Sequence, residues 1–175
     1  SHAGAVGLWQ FMYATGKMHG LHQNSYMDER MDPIKSTDAA CRYLKYLYKM
    51  YNKWDLALAA YNCGPGNVNR AMRRSGSTDG NYWDLYPYLP RETRAYVPKL
   101  LALADIIKRP EQFNLSLYEI ANEEVISQVN IKSQLDLAKA ASLAELSLAQ
   151  LQRLNPGFNR WSTDPKGPHR LVLPK

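Results

Sequence analysis

Two cysteines in 175 residues, Cys41 and Cys63, are too few for a disulfide framework or a cysteine-built metal site. They flank two helical segments at similar distances from the turn between them. That placement reads as two buried small side chains in preference to a bridge. Long apolar runs are missing too. A membrane span needs about 18 apolar residues, and the longest candidate, Val97 to Ile107, is broken by Lys99 and Asp105. Any membrane attachment is therefore expected outside this chain. No internal repeat or low-complexity tract occurs, which argues against repeat architectures. A hydrophobic content of 45% excludes disorder. His19 and His22 lack a third ligand at a workable spacing, so no metal is expected. Acidic residues are outnumbered 16 to 22 by Lys and Arg, giving a net charge of +6. Such a surface attracts polyanions, among them nucleic acid and anionic cell-wall polymer. The positive residues are scattered apart from Arg70, Arg73 and Arg74, and no recognition motif accompanies them, so no nucleic-acid partner is expected. Ser1-His2-Ala3-Gly4-Ala5 carries neither an initiator Met nor a signal peptide and reads as the middle of a longer sequence.

The first 110 or so residues carry helical signals and no strand alternation. Ser36, Thr37 and Asp38 offer an N-cap for a helix that ends near Tyr51-Asn52. Asp55 caps a short apolar helix, Leu56 to Tyr61, which must be buried. Gly64-Pro65-Gly66 then forces a turn, and Asn67 caps a helix through Arg74. Residues 75–90 read as a long ordered loop. A helix from Glu92 to Lys108 presents Val97, Leu100, Leu101, Ala104 and Ile107 on one face, with Pro98 kinking it or marking a first turn. Eleven of the twelve tyrosines precede residue 100. Beyond Arg109-Pro110 the pattern changes: a strand near Val125–Ile131, helices at Leu135–Leu143 and Leu148–Leu154, and a closing strand at Arg170–Pro174. The fold expected is mainly α: an all-α lobe followed by a small β-α-α-β module.

Three clusters carry chemistry. In Gly4-Ala5-Val6-Gly7-Leu8-Trp9-Gln10-Phe11, two glycines permit close backbone approach, and Trp9 and Gln10 offer a stacking plane beside an amide. Ala60-Tyr61-Asn62-Cys63-Gly64-Pro65-Gly66 presents a phenol and an amide at a buried helix end. In Glu92-Thr93-Arg94-Ala95-Tyr96-Val97, Glu92 and Tyr96 share a helical face. Phenols, amides and a Trp plane without metal ligands suit an uncharged, hydroxyl-rich ligand such as a sugar. The residue types taken singly also fit core tyrosines and a first-turn acid favoured by the helix dipole.

In this order, Gly-Leu-Trp-Gln-Phe, Ala-Tyr-Asn-x-Gly and Glu-Thr-x-x-Tyr-Val resemble the soluble-lytic-transglycosylase group of lysozyme-like enzymes. Tyr26-Met27-Asp28-Glu29-Arg30-Met31-Asp32-Pro33 and Tyr82-Trp83-Asp84-Leu85 resemble a membrane-bound branch of that group. The resemblance covers residues 1–114 and implies a lysozyme-like catalytic lobe there. Residues 115–175 resemble a divergent LysM fold, whose members bind N-acetylglucosamine-containing glycans; a β-α-α-β spacer with a structural role fits them as well.

The resemblance implies cleavage of the MurNAc–GlcNAc β-1,4 bond of peptidoglycan to leave 1,6-anhydro-MurNAc ends. A glutamic acid of raised pKa would protonate the leaving oxygen, and no metal or cofactor is called for. Trp9, Gln10, Tyr61, Asn62, Glu92 and Tyr96 match the family's glycan cleft. The family's acid belongs to a Glu-Ser pair upstream of the position matched by Ser1, so no residue of this chain is assigned as the acid. Ser1 matches an assisting serine. Glu92 matches a cleft residue and is not promoted to acid. The resemblance further implies a monomer that partners peptidoglycan glycan strands on the periplasmic side of the bacterial outer membrane. Two other readings remain open, a non-catalytic peptidoglycan-binding fragment and a lysozyme-type hydrolase.

Overall fold

A computed structural model describes residues 4–77 and 79–175. In chain order its elements are α1 (Tyr13–Met18), α2 (Pro33–Tyr51), α3 (Trp54–Cys63), α4 (Pro65–Ser75), α5 (Tyr82–Leu85), α6 (Arg91–Lys108), β1 (Ile126–Asn130), α7 (Leu137–Leu143), α8 (Leu148–Leu154) and β2 (Arg170–Pro174). The described residues are mainly helical with one small two-stranded sheet. Two units emerge: residues up to Cys41 together with Asn122–Lys175, and Arg42–Ala121. Among the described residues no helix is long and apolar enough to cross a membrane.

In the first unit, β1 and β2 pair antiparallel, with Ile126 opposite Pro174 and Asn130 opposite Arg170. Leu137, Ala140, Ala141, Leu151 and Leu171 form its buried cluster, because the apolar faces of α7 and α8 close over β2. Both helices start at built caps: Asp136 accepts from the Lys139 N–H, and Ser147 forms a capping box with Gln150. Asn155, almost fully buried, ties α8 to β2. Its Nδ2 donates to Leu151 O (2.9 Å) and Val172 O (2.8 Å), and its Oδ1 accepts from the Val172 N–H (2.8 Å). Asn155→Ala strands the N–H and C=O of the buried Val172. The expected loss is about 2 kcal/mol, read by chemical denaturation.

The second unit packs around α3. Leu56, Ala57, Ala59 and Ala60 are all buried there, and the small alanines let Val68, Tyr82, Leu85 and Val97 approach closely. Residues 75–90 do not form an unbroken loop. Asn81 and Asp84 make a capping box that starts α5, and Tyr86–Tyr88 add a 3₁₀ turn.

Other expectations also need correction. The cap of α2 is Asp32, whose Oδ1 accepts from the N–H groups of Ile34 (3.0 Å) and Lys35 (2.9 Å). Ser36, Thr37 and Asp38 lie inside the helix, because Pro33 fits a first helical position and moves the start forward. Both cysteines are free, with Cys41 exposed and Cys63 half-buried. Asp55 is inside α3, where it accepts from the N–H groups of Leu56 and Tyr82. Asn67 lies inside α4, whose start is set by Gly64 and Pro65. On α6 only Val97 of the expected apolar face is fully buried; Leu101 and Ile107 are 46% and 64% exposed. The cause is length. α3 has 10 residues and α6 has 18, about 15 Å against about 27 Å, so α6 outruns the helix it packs on.

Candidate functional site

The first cluster forms a tight turn in the first unit. Val6 and Phe11 pair as an antiparallel bridge, and the Gln10 N–H donates to Gly7 O at 3.2 Å. Closure needs positive φ at Gly7 (77°) and at Gln10 (52°). At Gly7 the main chain also lies so close to Arg30 that a Cβ would sit 2.0 Å from its carbonyl oxygen. The Gln10 side chain folds back, Nε2 to Gly7 O at 2.8 Å, and offsets part of the strain of its own backbone. The Trp9 indole N–H donates to Thr37 Oγ1 (2.7 Å), and that hydroxyl in turn donates to Pro33 O. The Trp9 indole N–H is thereby committed within the protein.

Arg30 holds the ends of this turn together. Its Nη1 donates to Gly4 O and Phe11 O, both at 3.1 Å, and its Nε and Nη2 bind the Asp28 carboxylate. Its guanidinium also lies 5.8 Å from the centre of the Tyr13 ring. One long side chain, of a residue only 8% exposed, therefore donates to Gly4 O and adds a second donor to Phe11 O, which already accepts the Val6 N–H.

The other two clusters meet in the second unit. Tyr61 and Asn62 lie in the last turn of α3, and Glu92 and Tyr96 in the first turns of α6. Asn62 Nδ2 donates to Glu92 Oε1 at 3.3 Å, while its Oδ1 accepts from the Thr93 hydroxyl at 2.7 Å. Thr93 is fully buried, so its hydroxyl fixes which way the Asn62 amide points. The start of α6 is anchored in turn. Pro98 has no N–H for Arg94 O, and the buried Tyr82 hydroxyl lies 3.1 Å from both Thr93 O and Arg94 O. The helix continues past Pro98 because a phenol replaces the missing donor.

Burial dominates the acid–base character of this unit's phenols. It pushes Tyr61 above the ordinary tyrosine range, helped by neighbouring Tyr96 and Tyr43. Tyr51 is pushed up to about 12, by burial first and then by Cys63, Tyr43 and Tyr46. Tyr43 and Tyr96 rise for the same leading reason. The Cys63 thiol is also raised by burial, partly opposed by a hydrogen bond with Thr93. These groups stay neutral at pH 7. A phenol whose folded pKa lies above its unfolded value of about 10 stabilises the fold fully below pH 10, and that contribution is lost as pH rises through the folded pKa. Alkaline titration followed at 295 nm is expected to show a late phenolate step that coincides with loss of the helical circular dichroism signal.

Sequence reasoning named Trp9, Gln10, Tyr61, Asn62, Glu92 and Tyr96. Asn62 and Glu92 are brought into contact, and Tyr61 lies within electrostatic reach of Tyr96. Trp9 and Gln10 sit on the turn of the first unit, and Ser1 lies outside the described residues. Reasoning from the sequence missed Thr93, Thr37 and Arg30. Thr93 stands inside a motif already quoted, but one residue on from Glu92 it turns about 100° away from the Glu92–Tyr96 face.

Residues 1–83 match the transglycosylase SLT domain, and residues 125–175 match the LysM-like domain of lytic transglycosylase MltD. Residues 1–83 therefore carry a transglycosylase SLT domain. Along its whole length the chain is 37% identical to the membrane-bound lytic murein transglycosylase D of Escherichia coli K12, and it spans 39% of that relative. It is 33% identical over 109 residues to the soluble lytic murein transglycosylase of Salmonella typhimurium, which covers 58% of this chain and 17% of that protein. A third relative, a putative tributyltin chloride resistance protein of an Alteromonas species, is 41% identical over 73 residues, 41% of this chain and 35% of that protein.

Proposed function

We propose that the chain is the glycan-handling part of a lytic transglycosylase that cuts the MurNAc–GlcNAc β-1,4 bond of peptidoglycan and leaves 1,6-anhydro-MurNAc ends. The observation that carries this reading is the Thr93–Asn62–Glu92 arrangement: an oriented amide beside a carboxylate and neutral phenols, a donor and acceptor set matched to acetamido and hydroxyl groups. Asn62 and Tyr61 bind those groups, Glu92 and Tyr96 stand beside the reacting sugar, and Trp9 with Gln10 contacts the strand through a ring plane and an amide. The functional division runs 1–114 for the transglycosylase lobe and 115–175 for the module, which takes a LysM-like β-α-α-β arrangement.

The reaction needs one carboxylic acid. It protonates the glycosidic oxygen as the bond to C1 breaks, and the carboxylate so formed takes the proton of the MurNAc C6 hydroxyl. That oxygen closes on C1, so no water is consumed and the acid is regenerated. The acid is assigned to the family's glutamate, which precedes the position of Ser1 in the parent protein, with Ser1 assisting. The protein works as a monomer on glycan strands at the periplasmic side of the outer membrane, through an anchor outside these residues. The name of the membrane-bound murein relative supports that placement.

The test is digestion of purified sacculi by the complete protein, with released muropeptides weighed by mass spectrometry. Products lighter by one water than the reducing forms are expected. Reducing ends would mean a hydrolase, and no release would overturn the activity.

A further inference from the structure

The segment Asn24–Asp32 is gripped from both sides within the first unit. On one side, residues 26–28 pair with residues 157–159 of the C-terminal module. Met27 and Phe158 form an antiparallel bridge, the Asp28 N–H donates to Gly157 O (2.8 Å) and the Asn159 N–H donates to Tyr26 O (2.7 Å). Gly157 has room for little else, since a Cβ there would lie 3.1 Å from Asp28 O. Arg170, at the start of β2, binds Asp32 Oδ2 through Nη2 and Gln128 through Nη1; the Arg170 and Asp32 side chains are only 19% and 14% exposed. On the other side, the same segment holds the Trp9 turn. The Asp28 carboxylate orients Arg30, which binds Gly4 O and Phe11 O. Asp32 caps α2, and the Thr37 hydroxyl on α2 receives the Trp9 indole N–H.

Asp28 and Asp32 thus each face both ways. Asp28 donates its main-chain N–H to the module, and its carboxylate accepts from Arg30. Asp32 gives one carboxylate oxygen to Arg170 and the other to the helix that holds Trp9. We propose that the C-terminal module is a positioning element for the Trp9–Gln10 turn, with Arg170 as a positioning residue that acts through Asp32 and α2. This rests on the reading of Trp9 and Gln10 as glycan contacts and adds that the module acts on the glycan through that turn. A module edge spent on main-chain pairing with residues 26–28 is closed to a ligand at that place, which favours this role over a freely tethered glycan binder.

The experiment compares the full chain with Arg170→Leu and Arg170→Lys by amide hydrogen exchange and by affinity for an N-acetylglucosamine hexamer. In Arg170→Leu, exchange over residues 4–12 is expected to rise about tenfold, with affinity falling in step, as one lost charge-assisted bond implies. Protection over 137–154 and 56–63 stays at the wild-type level, and Arg170→Lys restores much of both signals. A change confined to the module, or uniform acceleration along the chain, would overturn the proposal. Should Arg170→Leu fail to fold, Gly157→Ala makes the same prediction from the other contact. If the wild-type chain binds no hexamer, the glycan reading falls, while the exchange pattern still decides the coupling.

Discussion

Gly7→Ala is expected to destabilise the protein by about 3 kcal/mol, from two costs that add. A left-handed backbone costs an L residue about 1–2 kcal/mol, and forcing a methyl into filled space costs about 1–3 kcal/mol more. The neighbour it meets is the Arg30 carbonyl, 2.0 Å away, which is main chain and cannot swing aside. Gly4→Ala is the control. Its φ is also positive, at 82°, but nothing lies within 4 Å of the added methyl, so only the backbone cost of about 1 kcal/mol applies. Thermal unfolding should separate the two: a drop of roughly 6–12 °C for Gly7→Ala against roughly 2–4 °C for Gly4→Ala. Equal drops would mean that the approach to Arg30 does not constrain the turn.

Arg30→Ala is expected to cost about 3–5 kcal/mol, because it leaves Asp28 as a lone, largely desolvated carboxylate. The Asp28 side chain is 16% exposed, and removal of the guanidinium also takes a donor from Gly4 O and from Phe11 O. The double variant Asp28→Asn with Arg30→Met is expected to recover part of the loss. No unpaired charge then remains, and the methionine keeps much of the stem. Denaturant titration of the three proteins decides it. A single-variant cost under about 1 kcal/mol would place Arg30 among ordinary surface pairs.

These two residues mark how far the sequence could be read. The longer helices, the Gly-Pro-Gly turn and the closing strand pair were legible because their signals are local, namely turn residues and three- and four-residue apolar spacing. The starts of α2, α3 and α4 were misplaced because the expected caps lie inside those helices. Asn62 and Glu92 were legible as separate motifs, yet their contact across 30 positions was not. The grip of Arg30 on Gly4 and Phe11 was hidden for the same reason, since a lone arginine in a polar stretch looks like a solvated charge. Arg170 gave no signal at all, because its partner Asp32 lies 138 positions away. The exposed half of α6 was misread because periodicity reports which face is apolar and says nothing of whether a neighbouring helix is long enough to cover it.

The central claim, that the Trp9 turn and the Asn62–Glu92–Tyr96 group handle glycan, is tested most directly by nuclear magnetic resonance. An oligosaccharide of alternating N-acetylglucosamine and N-acetylmuramic acid would be titrated into the isotopically labelled chain. The account predicts amide shifts concentrated at residues 7–11, 60–64 and 92–97, and their loss in Asn62→Ala. Shifts confined to the residues of the C-terminal module, or none at saturating sugar, would contradict it.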